Sequence, residues 1–109
     1  ITDDSFISEL KDGKIKNYQV SPKDFGLSYG NFESIKALSP QESFEKVSLA
    51  FAGREGSVQD MIAINSAAAL KLSGIVKSLK EGVELSKSAM NEGLAQSKLE
   101  SYVKMSNNL

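Results

Sequence analysis

The sequence of 109 residues predicts an α/β fold, which is α+β when the segment is taken by itself. A β-hairpin is predicted over residues 6–20 and four to five helices over residues 32–106. The hairpin prediction rests on Asp12-Gly13, which separates two short apolar segments, because Asp-Gly is a strong signal for a two-residue turn. The helical prediction rests on Ser and Gly residues at positions typical of helix starts and ends.

The second strand and the turn that follows it have recognisable local signals. Ile15, Tyr18 and Val20 alternate imperfectly with polar residues, which is typical of a strand with one solvated face. The sequence 21–24 then places Ser at the N-cap and Pro at the first position of a single helical turn. Gly26 is expected to supply a left-handed C-cap to that turn.

The rest of the chain divides into helical segments that mostly begin at a serine followed three residues later by an acidic residue. With their caps, the predicted segments are 32–38, 39–52, 57–72, 78–91 and 94–105. Ser39 and Pro40 open the second segment as a capping box, and Ser57 and Ser78 are predicted N-caps of the third and fourth.

The segment that begins at Ser57 is apolar around nearly its whole circumference, so we expect it to be buried on most sides. The only partners within this sequence are a hairpin, which is marginally stable alone and has two free edges, and short amphipathic helices. We therefore expect the hairpin to complete a larger sheet on which this helix packs. Because the sequence begins with Ile1 rather than Met, we also expect a processed or truncated start.

Composition excludes several classes of function. Thirteen Lys and Arg against 14 Asp and Glu give a net charge of -1, so no nucleic-acid or anionic-membrane partner is indicated. Without Cys and His there is no thiol nucleophile, no Cys-ligated zinc and no Ser-His or Cys-His catalytic arrangement. No signal peptide is visible and the apolar stretch 61–76 is too short and polar to span a bilayer, so we expect a soluble, cytoplasmic protein.

Three local patterns resemble sites, although a structural role is the more economical interpretation of each. Asp3-Asp4 could hold a divalent cation, but on an exposed terminal stretch we expect both to be solvated. The sequence 53–57 precedes a helix N-terminus, where amides and Arg54 could bind phosphate, but it lacks a P-loop ending and Ser57 is expected to be the N-cap. We expect Asn65, beside Ser66, to be buried and satisfied by its neighbours.

Gly82 lies inside a predicted helix, where glycine lowers stability relative to alanine, so close packing against a neighbouring element is its expected role. No constellation of side chains supports nucleophilic, acid–base or metal-assisted catalysis. We therefore assign no catalytic, substrate-binding or metal-binding residue to this chain.

Several motifs, in this order, resemble the C-terminal portion of the anthranilate phosphoribosyltransferase family. Pro22-Lys23-Asp24-Phe25-Gly26-Leu27 follows the hairpin, and Asn65-Ser66-Ala67-Ala68-Ala69-Leu70 lies in the apolar helix. Ser78-Leu79-Lys80-Glu81-Gly82-Val83-Glu84-Leu85 and then Lys98-Leu99-Glu100 complete the match, which covers essentially the whole chain.

The resemblance implies that residues 1–109 are the C-terminal part of a nucleoside phosphorylase/phosphoribosyltransferase-like α/β domain, with an N-terminal helical domain absent from the chain. It implies a homodimeric enzyme that transfers the phosphoribosyl group of 5-phosphoribosyl-1-diphosphate to anthranilate with Mg²⁺, in tryptophan biosynthesis. The family's diphosphate-binding loop and Mg²⁺-binding Asp-Glu pair lie upstream of Ile1. The segment is thus expected to be structural, inactive alone, and partnered by the remainder of the same polypeptide.

Two alternatives remain open from the sequence. The chain could be a self-contained helical interaction module that binds a partner through Leu99, Tyr102 and Val103 and through the free hairpin edge. It could also be the tail of a pyrimidine nucleoside phosphorylase, because those enzymes share the fold.

Overall fold

A computed structural model describes residues 1–109, and its first element is the predicted hairpin. Strands β1 (Ser5–Lys11) and β2 (Lys14–Val20) pair in antiparallel register and leave a two-residue turn. Asp12 and Gly13 in this turn have φ values of 53° and 75°. Positive φ at both positions gives the turn that matches the twist of the flanking strands. The hairpin prediction is confirmed.

A single 3-10 turn and five α-helices follow the hairpin, which confirms the predicted fold class. The 3-10 turn is Pro22–Phe25, and the helices are α1 (Phe32–Ile35), α2 (Pro40–Phe51), α3 (Ser57–Leu72), α4 (Leu79–Asn91) and α5 (Leu94–Asn107). Gly26 ends the 3-10 turn in the left-handed region with φ of 77°, as expected. None of the helices has the length and apolar character needed to cross a lipid bilayer.

Helix α1 is shorter than the predicted segment 32–38. It ends at Ile35 because Lys36 is extended, with ψ of 135°. The backbone N–H of Leu38 donates instead to Oε2 of Glu42, in the first turn of α2, at 3.0 Å. Ser39 Oγ accepts the N–H of Glu42 at 3.1 Å. Leu38 and the residues before it, which the sequence predicted as the end of the first helix, therefore lead into the N-cap of α2.

The tightest contact between helices lies at Gly82 of α4. A Cβ at this position would be 2.7 Å from the Cβ of Ala67 in α3 and 2.8 Å from its Cα. Ala63 and Ala67 are fully buried, and Val83 is 3% exposed. The backbones of α3 and α4 thus approach each other over small residues, which confirms the role expected for Gly82.

The hairpin packs on the helices with one face only. The side chains that this face adds to the core are Ile7, Tyr18 and Val20. The opposite face carries Phe6, Leu10 and Ile15, which are 85%, 69% and 72% exposed. Both faces of this short sheet are therefore apolar, and one of them is open to solvent.

Helix α3 is buried on one side, which differs from the prediction of burial on most sides. Gln59, Ala63 and Ala67 are its buried residues. Met61 and Leu72 are 43% and 75% exposed. The hairpin, α2 and α4 cover only part of its circumference, so the rest of its apolar surface lacks a protein neighbour within these residues.

We expect Gly82→Ala to lower the free energy of unfolding by about 1–3 kcal/mol, because the atoms it would meet include the backbone of Ala67, and α3 and α4 must move apart. At an exposed helical site the same change would raise stability by about 1 kcal/mol. Urea denaturation followed by circular dichroism measures the difference. Ser88→Ala, on the exposed face of α4, is the control and should shift stability by less than about 0.5 kcal/mol. An unchanged or raised stability for Gly82→Ala would contradict the close contact.

Candidate functional site

The loop before α3 borders a cavity of about 330 Å³, which the end of α2 and the first turn of α3 also line. Gly53 and Gly56 have φ values of 92° and 147° in this loop. Glycine adopts such values without steric penalty, so the two residues allow the sharp path from α2 into α3. This is the segment 53–57 that the sequence indicated as a possible phosphate site.

Gly56, not Ser57, is the N-cap of α3, so the predicted cap is wrong. No side chain caps the helix, and its first backbone N–H groups lack the partner that a serine N-cap would supply. Ser57 is instead the first helical residue, and its Oγ accepts the N–H of Asn31 at 3.4 Å. Ser57 also packs against Gly30, since a Cβ at Gly30 would lie 2.7 Å from Ser57 Oγ. Ser57 thus contacts the loop 28–31 and does not occupy the N-cap position.

Two basic side chains, Lys46 and Arg54, line the cavity, and they differ in their hydrogen bonds to the rest of the chain. Lys46 Nζ donates to the carbonyl oxygens of Ser34, at 3.2 Å, and of Lys36, so it fastens α2 to the end of α1. Arg54 is exposed, and its guanidinium makes no hydrogen bond or ion pair with the rest of the chain. Arg54 is therefore the cation at this cavity that is available to a ligand.

Gln59 lines the same cavity and is fully buried where three helices meet. Its Nε2 donates to the carbonyl oxygen of Ala50 in α2 at 3.2 Å and to Oδ1 of Asn91 in α4 at 3.0 Å. Its Oε1 is buried without a hydrogen-bond partner. The two acceptors fix the orientation of the amide, because exchanging its nitrogen and oxygen would place three acceptors together.

Gln59 was not predicted from the sequence as a functional or structural residue. The one available signal was a glutamine in the first turn of an otherwise apolar helix, and that position is also common for surface residues.

Asp3 and Asp4 do not face each other as a pair of cation ligands. Asp4 accepts hydrogen bonds from the hydroxyl of Tyr29 and from Nε2 of Gln19, the latter at 2.9 Å. Asp3 Oδ1 accepts the backbone N–H of Asp4 at 2.8 Å. The carbonyl of Ile1 accepts the N–H of Gly30 at 2.9 Å. We expected Asp4 to be solvated, but its hydrogen bonds instead hold residues 1–4 against β2 and the loop 28–31.

Asn65 and Ser66 have separate environments. Asn65 is exposed rather than buried, and its Nδ2 donates to the carbonyl of Met61, one turn earlier, at 2.9 Å. Ser66 lines a second cavity, of about 420 Å³, with mostly apolar walls between α3 and α4. The chain contains no group of three or more His, Cys, Asp or Glu side chains arranged to hold a metal ion.

The hydrogen bond to Asp4 raises the pKa of Tyr29 above its ordinary value of 10.0, and desolvation and the negative charge of Asp4 act in the same direction. A raised pKa in the folded state means that this contact contributes fully below pH 10 and is lost as the pH rises through the pKa of Tyr29. We expect Asp4→Asn to lower the pKa of Tyr29, as measured by NMR titration of its ring signals. Asp12→Asn, an equal charge change at the hairpin turn, is the control, and an equal response to both variants would contradict the role of Asp4.

We expect Gln59→Leu to lower the free energy of unfolding by about 1–3 kcal/mol, because it removes one buried and one partly buried hydrogen bond and leaves Ala50 and Asn91 without this donor. Thermal unfolding monitored by circular dichroism measures the effect. Gln41→Leu is the matched control, since its amide contacts only Glu45 on an exposed face. Equal stability of the two variants would show that Gln59 does not join the three helices.

Comparison with known proteins gives a consistent result. A family model described as the α/β domain of a glycosyl transferase family matches residues 1–96. The anthranilate phosphoribosyltransferase of Vesicomyosocius okutanii is 38% identical over 106 residues, which cover 97% of this chain and 31% of that protein. The enzyme of the same name from Neisseria meningitidis serogroup C (strain FAM18) is 38% identical over 104 residues, covering 94% and 30%.

A solved structure shares the fold. The crystal structure of anthranilate phosphoribosyltransferase from Thermus thermophilus matches 89% of this chain and 30% of its own, with a TM-score of 0.78 and 30% identity. The chain thus spans about 30% of the length of these relatives, and the resemblance predicted from the sequence is confirmed. On this agreement of family model, sequence and fold, the chain belongs to the glycosyl transferase family and forms part of its α/β domain.

Proposed function

We propose that this chain is the C-terminal portion of an anthranilate phosphoribosyltransferase. The whole enzyme would transfer the phosphoribosyl group of 5-phosphoribosyl-1-diphosphate to anthranilate, giving N-(5-phosphoribosyl)anthranilate and pyrophosphate in tryptophan biosynthesis. The observation that carries the proposal is identity of 38% along 97% of this chain to an enzyme of that name, of which the chain covers only 31%. A cytoplasmic homodimer, with an N-terminal helical domain outside residues 1–109, belongs to the same proposal.

The exposed face of the hairpin supports a structural role within a larger domain. Phe6, Leu10 and Ile15 lie on that face, and the sheet contains two strands, so both outer edges are unpaired. In α/β domains helices cover both faces of the sheet, and further strands pair with its edges. The remainder of the polypeptide would supply those strands and helices, and the chain would complete the sheet.

The proposed reaction displaces pyrophosphate from the anomeric carbon of the sugar by the amine of anthranilate. Such a displacement depends on placement of the amine and on stabilisation of the departing pyrophosphate, which Mg²⁺ supplies when bound. The residues of this chain do not fit Mg²⁺, because Asp4 already accepts two hydrogen bonds and no cluster of acidic side chains surrounds it. This misfit supports the part of the proposal in which the metal ligands lie outside residues 1–109, and the proposal assigns the residues that bind both substrates to the rest of the polypeptide as well.

The C-terminal helix favours a second candidate, a self-contained interaction module. On α5, Leu99 is half-buried, whereas Tyr102 and Val103 are 69% and 47% exposed. The packed face of the helix therefore continues as apolar surface without a neighbour in the chain. The pyrimidine nucleoside phosphorylase alternative is less favoured, since the relatives described above are named anthranilate phosphoribosyltransferase.

We expect the isolated chain to transfer no phosphoribosyl group and to bind the dye 1-anilinonaphthalene-8-sulfonate, whereas the polypeptide of natural length transfers the group and binds little dye. The double variant Leu10→Ser, Ile15→Ser should reduce dye binding by the isolated chain, because it makes the open hairpin face polar. Ser8→Thr on the same face is the control, as it leaves the apolar residues in place.

Either of two results would contradict the proposal. Phosphoribosyl transfer by the isolated chain would place the catalytic residues within it. Cooperative unfolding of the isolated chain, without dye binding, would favour the self-contained module and its α5 surface.

A further inference from the structure

The hairpin turn at Asp12-Gly13 has three features that the proposed function does not use. Asp12 is the one non-glycine residue of the chain with a positive φ, at 53°. It is exposed, and its carboxylate makes no hydrogen bond or ion pair with the rest of the chain. The backbone N–H of Gly13 donates to no acceptor within the chain. A free carboxyl group therefore lies next to a free backbone amide.

These two groups can react with each other. The nitrogen of Gly13 attacks the side-chain carbonyl carbon of Asp12, and the new C–N bond closes a five-membered succinimide ring. The carboxyl OH and the amide hydrogen leave together as water. The attack is intramolecular, and glycine adds no Cβ to hinder it. Nothing lies within 4 Å of the position that a Cβ of Gly13 would occupy, so the approach is open.

Water then opens the ring at either of its two carbonyl groups. Opening at the former side-chain carbonyl restores aspartate. Opening at the backbone carbonyl leaves the chain running through the side chain of residue 12 as isoaspartate, with the original backbone carbonyl as a free carboxylate. The water taken up replaces the water released, so the mass is unchanged, but the backbone is one carbon longer.

The other aspartates of the chain differ from Asp12 in both groups. Each has a carboxylate that accepts a hydrogen bond or forms an ion pair within the chain, and each precedes a residue with a side chain. They are Asp3, Asp4, Asp24 and Asp60. The reaction is therefore favoured at one aspartate of the chain.

The fold also permits the movement that ring closure needs. Closing the ring requires rotation about the Cα–C bond of Asp12, so the turn must open first. Residues 10–15, which form the turn and the two pairs of strand residues nearest to it, are all exposed. Opening a segment without buried contacts costs little free energy. The end of the hairpin can thus open while the helices remain folded.

We propose that Asp12 is a site of spontaneous modification, at which succinimide formation converts aspartate to isoaspartate. The product breaks the hairpin turn, because a backbone with an extra carbon no longer fits a two-residue loop with positive φ at both positions. The pairing of Leu10 with Ile15 beside the turn is then lost, so the modification alters the outward face of the hairpin. The inference does not depend on the proposed function.

Peptide mapping of the aged natural-length polypeptide that carries this chain tests the proposal. A protease that cleaves after Glu releases residues 10–33, which contain both Asp12 and Asp24. Electron-transfer fragmentation then distinguishes isoaspartate from aspartate at each position. We expect isoaspartate to accumulate at Asp12 at least about tenfold faster than at Asp24, because glycine leaves the amide unhindered and the turn opens locally. Equal or slower accumulation at Asp12 would overturn the proposal.

Two variants test whether the ring forms. In Asp12→Asn ammonia leaves instead of water, so we expect faster formation of aspartate and isoaspartate at residue 12, and a variant that keeps its asparagine would contradict the ring. In Asp12→Glu the ring would need six members, so labelling of residues 10–33 by an isoaspartyl-specific methyltransferase should fall to background. Asp3→Glu, the matched control at another exposed aspartate, should leave this labelling unchanged. Persistent labelling in Asp12→Glu would exclude Asp12 as the site.

Discussion

The close approach of α3 and α4 is the constraint on which the rest of this structure depends. Gly82 lets the backbone of α4 lie against Ala67, and both residues are buried. The inward face of the hairpin then packs on the same small residues of α3, with Val20 beside Ala63 and Ala67 in one core. At the other end of α3, Gln59 bonds to both α2 and α4. The packing of α3 against α4 thus provides the core on which the hairpin packs and the junction that Gln59 makes with α2.

The same arrangement explains why the molecule has so much exposed apolar surface. A pair of closely packed helices presents one common face to a sheet, and here that sheet has two strands. Its outward face carries Phe6, Leu10 and Ile15 without cover. Burial of such side chains contributes about 25 cal/mol per Å² of apolar area, so these residues favour association with further protein. An uncovered apolar sheet face is expected of a segment that packs against the rest of a larger α/β domain.

The sequence predicted the elements whose signals are local. Asp12-Gly13 determines its turn without reference to the rest of the chain, and Ser78 caps α4 through the N–H of Glu81, only three residues away. Two of the errors involve contacts with residues distant in the sequence. The N-cap of α3 is Gly56, one residue earlier than predicted, and Ser57 Oγ instead accepts the N–H of Asn31, which is 26 residues away in the sequence. Gln59 was missed because its partners lie 9 and 32 residues away.

With Gly56 as its N-cap, α3 begins at the cavity without a side-chain hydrogen bond to its first N–H groups. An uncapped helix end typically costs about 0.5–2 kcal/mol relative to a serine cap, and a buried unpaired acceptor costs about 1–3 kcal/mol. Both the uncapped helix end, at Gly56, and the unpaired acceptor, on Gln59, belong to residues that line one cavity. The unpaired oxygen of Gln59 is enclosed by protein, so its cost belongs to the junction of α2, α3 and α4 that Nε2 of the same side chain holds together. The polar backbone and side chains at this end of α3 distinguish its cavity from the larger one between α3 and α4, whose walls are mostly apolar.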